Sequence, residues 1–456
     1  MSRLTKIMVA LLASAAIAAP AFAVTGDVSG FLHVRGVAAD NMDGQDKDGK
    51  YDSDGDGTLD ADYDDNTRAV DSRLRLFTTA ALNENVKAVF AVEVDYVWGD
   101  DKVGKVGADQ KGEIEIANLY LDFNIPEANT NVKAGTHYYK LGGGLILGEH
   151  ASGVSIRKAF SDEMNLGLYW VKMVEGLDED DDQDVDYYQA QLDMKLGGVT
   201  VSPFIGYMDS DDNYDVPGVK GTNPPWIVDG GEQFYYGMEI TGKAEALNYG
   251  MTAFYNDGNY TDFANKKRQN NSAYAILADA DYTVGDTKLV FSAGRYGDSD
   301  RPDGKMASVR GYNNFAEVVT GGYFDERSNG VGAGYSQTAS GSVNAAYDMN
   351  FLYGKLGVEQ TVSDKSKLRA YYIYAEEAAD NQTRFLSNGK SMKRMTFGHE
   401  LDLYYDYTVV PGLVATLGGG YLLADDDFGL DIDPVTGKEI GGDDAWKAGL
   451  GLAYKF

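Results

Sequence analysis

The chain has 456 residues, is 43% hydrophobic, carries a formal charge of −31 and contains no cysteine. A charge of that sign excludes a nucleic-acid partner, because phosphates demand a basic face. A chain without cysteine has no disulfide, no thiolate metal site and no c-type haem attachment.

Arg3 and Lys6 precede an apolar run from Ile7 to Ala19, which Pro20 breaks and Ala21-Phe22-Ala23 closes in a small-x-small pattern. This predicts a signal peptide over 1–23, with the mature chain beginning at Val24. The run is short for a bilayer span, and no later stretch reaches the roughly 18–20 apolar residues of a membrane helix. An exported chain without such a helix is either a soluble secreted protein or a transmembrane β-barrel.

Beyond the leader two textures alternate. Segments of about ten residues switch strictly between apolar and polar positions, as membrane strands do. In Val86 to Trp98, Ala88, Phe90, Val92, Val94, Tyr96 and Trp98 oppose Lys87, Val89, Ala91, Glu93 and Asp95. In Asp186 to Leu196, Tyr188, Ala190, Leu192 and Met194 oppose Tyr187, Gln189, Gln191 and Asp193; in Gln233 to Lys243, Phe234, Tyr236 and Met238 oppose Gln233, Tyr235 and Glu239. A soluble sandwich alternates in the same way, so the aromatics matter: Tyr96 with Trp98, and Tyr405 with Tyr407, sit at the ends of apolar faces, as in interfacial girdles.

The connections alternate in size. Short turns fall at 83–85, 126–129, 161–163, 197–198, 243–246, 285–286, 363–366 and 411–412. Long polar loops fall at 40–67, 99–112, 140–152, 175–185, 209–231, 257–271, 298–342, 376–395 and 425–444. Short periplasmic turns alternating with long external loops define an outer-membrane barrel. The expected fold is therefore all-β: one transmembrane antiparallel β-barrel domain over 24–456, of about 18 strands, or 16 if the weak segments Val154–Phe160 and Asn329–Gln337 are not strands.

The last segment puts Trp446, Ala448, Leu450, Leu452, Tyr454 and Phe456 on one face and Lys447, Gly449, Gly451, Ala453 and Lys455 on the other, and the chain ends on Phe456. This resembles the C-terminal strand of Gram-negative outer-membrane proteins, whose terminal aromatic is read by the barrel-assembly machinery. Residues 72–95 and 118–148 also look like bacterial porins, and the acid-rich, cysteine-free pattern looks like porins of metal-reducing anaerobes. The resemblance implies a passive, water-filled diffusion channel in the outer membrane, in contact with lipid and lipopolysaccharide, passing small polar solutes, and a homotrimer in many members.

Alternation also predicts a lumen-facing set, because charges facing lipid are costly. The candidate pore-lining residues are Arg35, Arg73, Arg75, Lys133 and Arg157, with Glu93, Asp95, Asp122 and Glu149. Porin resemblance implies a third loop, here 140–152, folded inward as a constriction. A basic cluster of Arg35, Arg73, Arg75 and Lys133 would face its single acid, Glu149. Such opposed charges would orient dipolar solutes; the alternative is that Leu141, Leu145, Ile146 and Leu147 pack the loop against the wall. His137 and His150 flank that loop and are expected near each other at the pore.

The first loop, 40–67, is strongly acidic. Asp52, Asp54, Asp56, Thr58 and Asp60 fall at calcium-loop spacing, although Tyr63 stands where the bidentate carboxylate belongs. A calcium ion there is the one cofactor expectation; none is required for the channel. The chain has no G-x-S-x-G, H-E-x-x-H or Walker A motif, so no enzyme is expected. Two alternatives stay open at this point: a barrel sheath around an outer-membrane multihaem cytochrome, and a secreted calcium-binding adhesin.

Overall fold

A computed structural model describes residues 25–42, 66–99, 114–174, 184–210, 231–262, 267–299, 350–380, 394–429, 431–432 and 439–456. Its strands in chain order are β1 (Thr25–Asp40), β2 (Thr67–Asn83), β3 (Val86–Val97), β4 (Glu115–Ile125), β5 (Thr130–Tyr138), β6 (His150–Ser161), β7 (Met164–Val174), β8 (Val185–Leu196) and β9 (Val199–Ser210). They continue as β10 (Gly231–Ala244), β11 (Leu247–Asp262), β12 (Lys267–Val284), β13 (Thr287–Gly297), β14 (Phe351–Ser363), β15 (Ser366–Glu376), β16 (Thr396–Val410), β17 (Leu413–Ala424), the two-residue β18 (Asp431–Ile432) and β19 (Glu439–Ile440), and β20 (Ala445–Lys455).

Eighteen of these form one antiparallel sheet, and β1 pairs with both β2 and β20, which closes the ring. Closure satisfies every strand edge internally, the only solution for a sheet surrounded by hydrocarbon. The count is eighteen, not sixteen. Residues Val154–Phe160 lie within β6, while Asn329–Gln337 lie outside the described residues. The remaining pair, β18 with β19, is a small ladder in the last loop.

The sixth loop is shorter than expected. The ladder of β11 and β12 continues through Gly258↔Asn271 and Asn259↔Asn270 to Asp262↔Lys267, across most of the span 257–271. Alternating hydropathy marks only the part of a hairpin that meets lipid. Above it, backbone pairing carries the ladder on with polar side chains, so apolar periodicity underestimates strand length.

The expected facing is observed. Leu119, Leu121, Leu401, Leu403, Leu417 and Leu450 are exposed on the outer wall, whereas Tyr187, Gln189, Gln233 and Tyr235 are buried on the inner one. Interfacial rings anchor the rim that carries the long loops. Trp98 donates to Ser72 Oγ at 2.9 Å, Trp170 to Asp186 at 2.8 Å, Trp446 to Asp40 at 3.1 Å and Tyr421 to Asp444 at 2.7 Å. Each ring thus keeps its body against hydrocarbon and its polar atom satisfied.

Candidate functional site: the barrel lumen

The third loop turns into the barrel as a self-braced hairpin. Tyr139 N donates to Glu149 O at 2.9 Å, and Leu141 N and Leu147 O meet at 2.8 Å. At its tip Gly142, Gly143 and Gly144 form a 3-10 turn with φ of 58°, 67° and 93°, a backbone that side chains strongly resist. The tip rests on the inner wall of β10–β12. Gly143 N donates to Glu239 Oε1 at 3.0 Å, and a Cβ on Gly143 would stand 3.0 Å from Thr252 Oγ1 and 3.1 Å from Leu277 Cδ1. Glu239, Thr252 and Leu277 are direct cross-strand neighbours, so one level of the wall receives the tip.

The inner space is not uniformly wet. Leu145, Ile146 and Leu147 are fully buried and share an apolar cluster with Tyr187, Phe204, Tyr235, Phe254 and Leu277. The rings pack edge to face and tilted, Tyr187 to Tyr235 at 5.9 Å and Phe204 to Phe254 at 6.1 Å between centroids. Loop 3 therefore leans on a dry sector of the wall, held by apolar burial as well as by its hydrogen bond.

The opposite texture covers β1–β3. Arg35 pairs with Asp71 at 2.8 Å, Arg73 with Asp95 at 2.7 Å and with Glu93 at 3.5 Å, and Arg75 with Glu93. These follow from register, since Arg35↔Asp71, Arg73↔Asp95 and Arg75↔Glu93 are direct cross-strand partners. Beside Arg35 the wall carries no bulk: Gly451 faces it on β20, and Gly449 pairs with Gly418 of β17 on the same face.

The remaining candidates spread around the ring. Asp122 accepts from Asn131 at 2.7 Å and faces Lys87 at 3.3 Å. Lys133, the register partner of Asp122, holds its ammonium 5.7 Å from the Tyr120 ring centroid. Arg157 reaches Asp193 at 2.6 Å. Glu149 turns back on its own neighbour and accepts from His150 N at 2.8 Å.

None of the contacts described above joins the basic cluster to Glu149. Carboxylates directly opposite on the adjacent strand, about 5 Å away by sheet geometry, engage the guanidinium forks before a loop acid does. His137 and His150 do not meet at the pore either. His137 faces inward, with Nε2 2.9 Å from Ser155 Oγ, while His150 pairs with Tyr138 on the outer face, because neighbouring strand positions alternate sides. Asp52, Asp54, Asp56, Thr58 and Asp60 lie outside the described residues.

Sequence reasoning missed the receiving site of loop 3, Glu239 with Thr252 and Leu277. Its trace is Tyr187, Tyr235 and Leu277, bulky residues on the face that should be wet. It also left the partners within the ion-pair ladder unassigned, although the signal is present: Arg73 with Asp95 and Arg75 with Glu93 are symmetric about Glu84, the centre of the short turn.

A closed eighteen-stranded ring, apolar outside, with charged ladders and an inserted loop inside, defines a transmembrane β-barrel. The same architecture occurs in solved outer-membrane proteins. OpdL of Pseudomonas aeruginosa superposes with a TM-score of 0.52 at 10% identity, over 94% of this chain and 99% of that one. OccAB3 of Acinetobacter baumannii and the outer-membrane protein OpdK of Pseudomonas aeruginosa each give 0.50 at 10% identity, over 94% of this chain and 99% of theirs. The chain has the fold of these Gram-negative outer-membrane barrels. No family model and no curated protein sequence matches it.

Proposed function

We propose that the chain is a passive outer-membrane porin that lets small hydrophilic solutes and ions diffuse along an off-centre aqueous lane. The observation that carries this reading is the placement of loop 3. It is folded inside a closed barrel and seated on the β10–β12 sector by Gly143 and Glu239, which leaves the arginine–carboxylate ladder of β1–β3 as the polar wall of the passage. Paired charges line such a lane without imposing a strong net field, so the reading is of a general channel with weak charge preference. No catalytic step belongs to it.

Lipid and small solutes are the partners this reading requires. We further propose lipopolysaccharide at the ring of Trp98, Trp170 and Trp446, recognition of the terminal strand by the barrel-assembly machinery, and a homotrimer. Phe456 supports the second of these: it exchanges backbone hydrogen bonds with Gly30 at 3.0 and 3.1 Å, and its ring stacks 5.5 Å from Tyr454 on the lipid face. A calcium ion at Asp52, Asp54, Asp56, Thr58 and Asp60 remains a proposal on sequence spacing.

The cytochrome sheath is less well supported, because a sheath requires an open bore and Leu145–Leu147 fill part of this one. The soluble adhesin is less well supported, because a single closed sheet with leucines exposed around its outer wall needs hydrocarbon around it. Planar-bilayer recording of the purified protein tests the reading. Discrete ion steps are expected; silence with a co-purifying haem protein would replace the porin with the sheath.

A further inference from the structure

Loop 3 is stiff within itself, yet its tip is a foreign body on the wall it touches. Its hairpin hydrogen bonds join Tyr139 to Glu149 and Leu141 to Leu147, all inside the loop. The tip meets the far wall through a backbone N–H, which takes no account of side-chain identity, and the acceptor there is a carboxylate oxygen of Glu239 at 3.0 Å. Gly143 brings that N–H within reach because it has no Cβ to strike Thr252 and Leu277. A hydrogen bond to an ionised acceptor is about twice as strong as a neutral one, and stronger still in a drier sector.

We infer that Glu239 is the positioning residue of the constriction, a latch on β10 that fixes loop 3 against the β10–β12 sector. The inference deepens the porin reading and rests on it for its consequence, the width of the lane. The apolar residues Leu145 to Leu147 hold the loop inside the barrel; Glu239 decides where its tip stops. Without the carboxylate the apolar side chains still seat the hairpin, but its tip lifts more often from the wall beneath Gly143.

Thr252 lies directly under the tip, and the protein has no cysteine of its own, so Thr252→Cys is a single reporter. The rate of its modification by a small charged methanethiosulfonate is read in the full-length protein reconstituted in vesicles. With Glu239 present the rate is expected to be low. With Glu239→Ala it rises by on the order of tenfold or more, the opening factor of one lost charge-assisted hydrogen bond. Glu239→Gln, which keeps an acceptor oxygen, restores a rate within about threefold of the parent. Heat-modifiable gel mobility shows whether each variant is a folded barrel.

Equal rates for the parent and Glu239→Ala would overturn the latch, as would a folded Glu239→Gln that behaves like Glu239→Ala. Single-channel recording separates the two readings. Labelling that follows the expected order in a protein without ion steps keeps the latch and removes the porin. Ion steps with no change in labelling or open-channel noise keep the porin and remove the latch.

Discussion

Arg73 and Asp95 stand directly opposite each other on β2 and β3, and their side chains meet at 2.7 Å on the lumen face. The contact is bidentate, with Nε 2.8 Å from the second carboxylate oxygen. Asp95 therefore cancels much of the charge that Arg73 would otherwise show to a passing ion. Asp95→Asn is expected to leave the barrel assembled and to shift the reversal potential in a salt gradient toward anions. The double variant Arg73→Gln with Asp95→Asn returns it toward the parent value. A reversal potential unmoved by the single change would place this pair away from the conducting lane.

Deleting Leu145 to Glu149 removes the apolar anchor and the bridge partner of Leu141. Single-channel conductance is expected to rise, because an ion then meets a wider cross-section. The ladder of β5 and β6, paired from Thr130↔Lys158 to Tyr138↔His150, stays intact, so assembly survives. Unchanged conductance would mean that loop 3 does not limit the passage.

The two walls differ in what they tolerate. Leu403 is 60% exposed at the middle of β16 and faces lipid. Leu403→Arg is expected to destabilise the barrel by roughly 2–4 kcal/mol, the cost of an arginine near the bilayer midplane. Gln191→Arg, on the inner face beside Asp193, is expected to cost less than about 1 kcal/mol, since it adds a charge where water and a carboxylate are at hand. Urea unfolding in lipid vesicles reads both values, and equal costs would contradict the assigned faces.

Removal of Phe456 takes away one end of the closing seam, its two backbone hydrogen bonds to Gly30 and its packing on Tyr454. The fraction of heat-modifiable, assembled barrel in cell envelopes is expected to fall severalfold. Phe456→Tyr, which keeps the ring, is expected to restore it. Normal assembly without the terminal ring would detach Phe456 from recognition by the assembly machinery.

Calcium at the first loop is tested by titration calorimetry of the whole protein. Heat of binding at millimolar calcium or below is expected, lost when Asp52 and Asp54 are both changed to Asn, because a hard cation needs charged oxygens at those ligand positions. No heat in the parent protein would reduce the segment to an acidic loop.

Much of the architecture could be read in one dimension. A strand shows lipid with every second side chain, and a closed ring must connect its strands alternately at two ends. Val86 to Trp98, Asp186 to Leu196 and Gln233 to Lys243 therefore announce their faces, and the spacing of turns points to about eighteen strands, with sixteen left open until the ring is seen to close. Apolar periodicity underestimates the hairpin of β11 and β12 because its outer part, around Gly258↔Asn271, keeps the backbone ladder without an apolar face.

The site was a matter of what meets what across the bore. Periodicity assigns Arg35, Arg73, Glu93 and Glu239 to the inner face and is silent on which of them touch. Register joined Arg73 to Asp95 within one hairpin, a local relation that the chain order already contained. The contact of Gly143 with Glu239 spans 96 positions and depends on the curvature of the closed sheet, which brings β10 to face a loop that leaves from β5. Side-chain alternation is a property of each strand alone, whereas proximity across a lumen exists only after all the strands have closed around it.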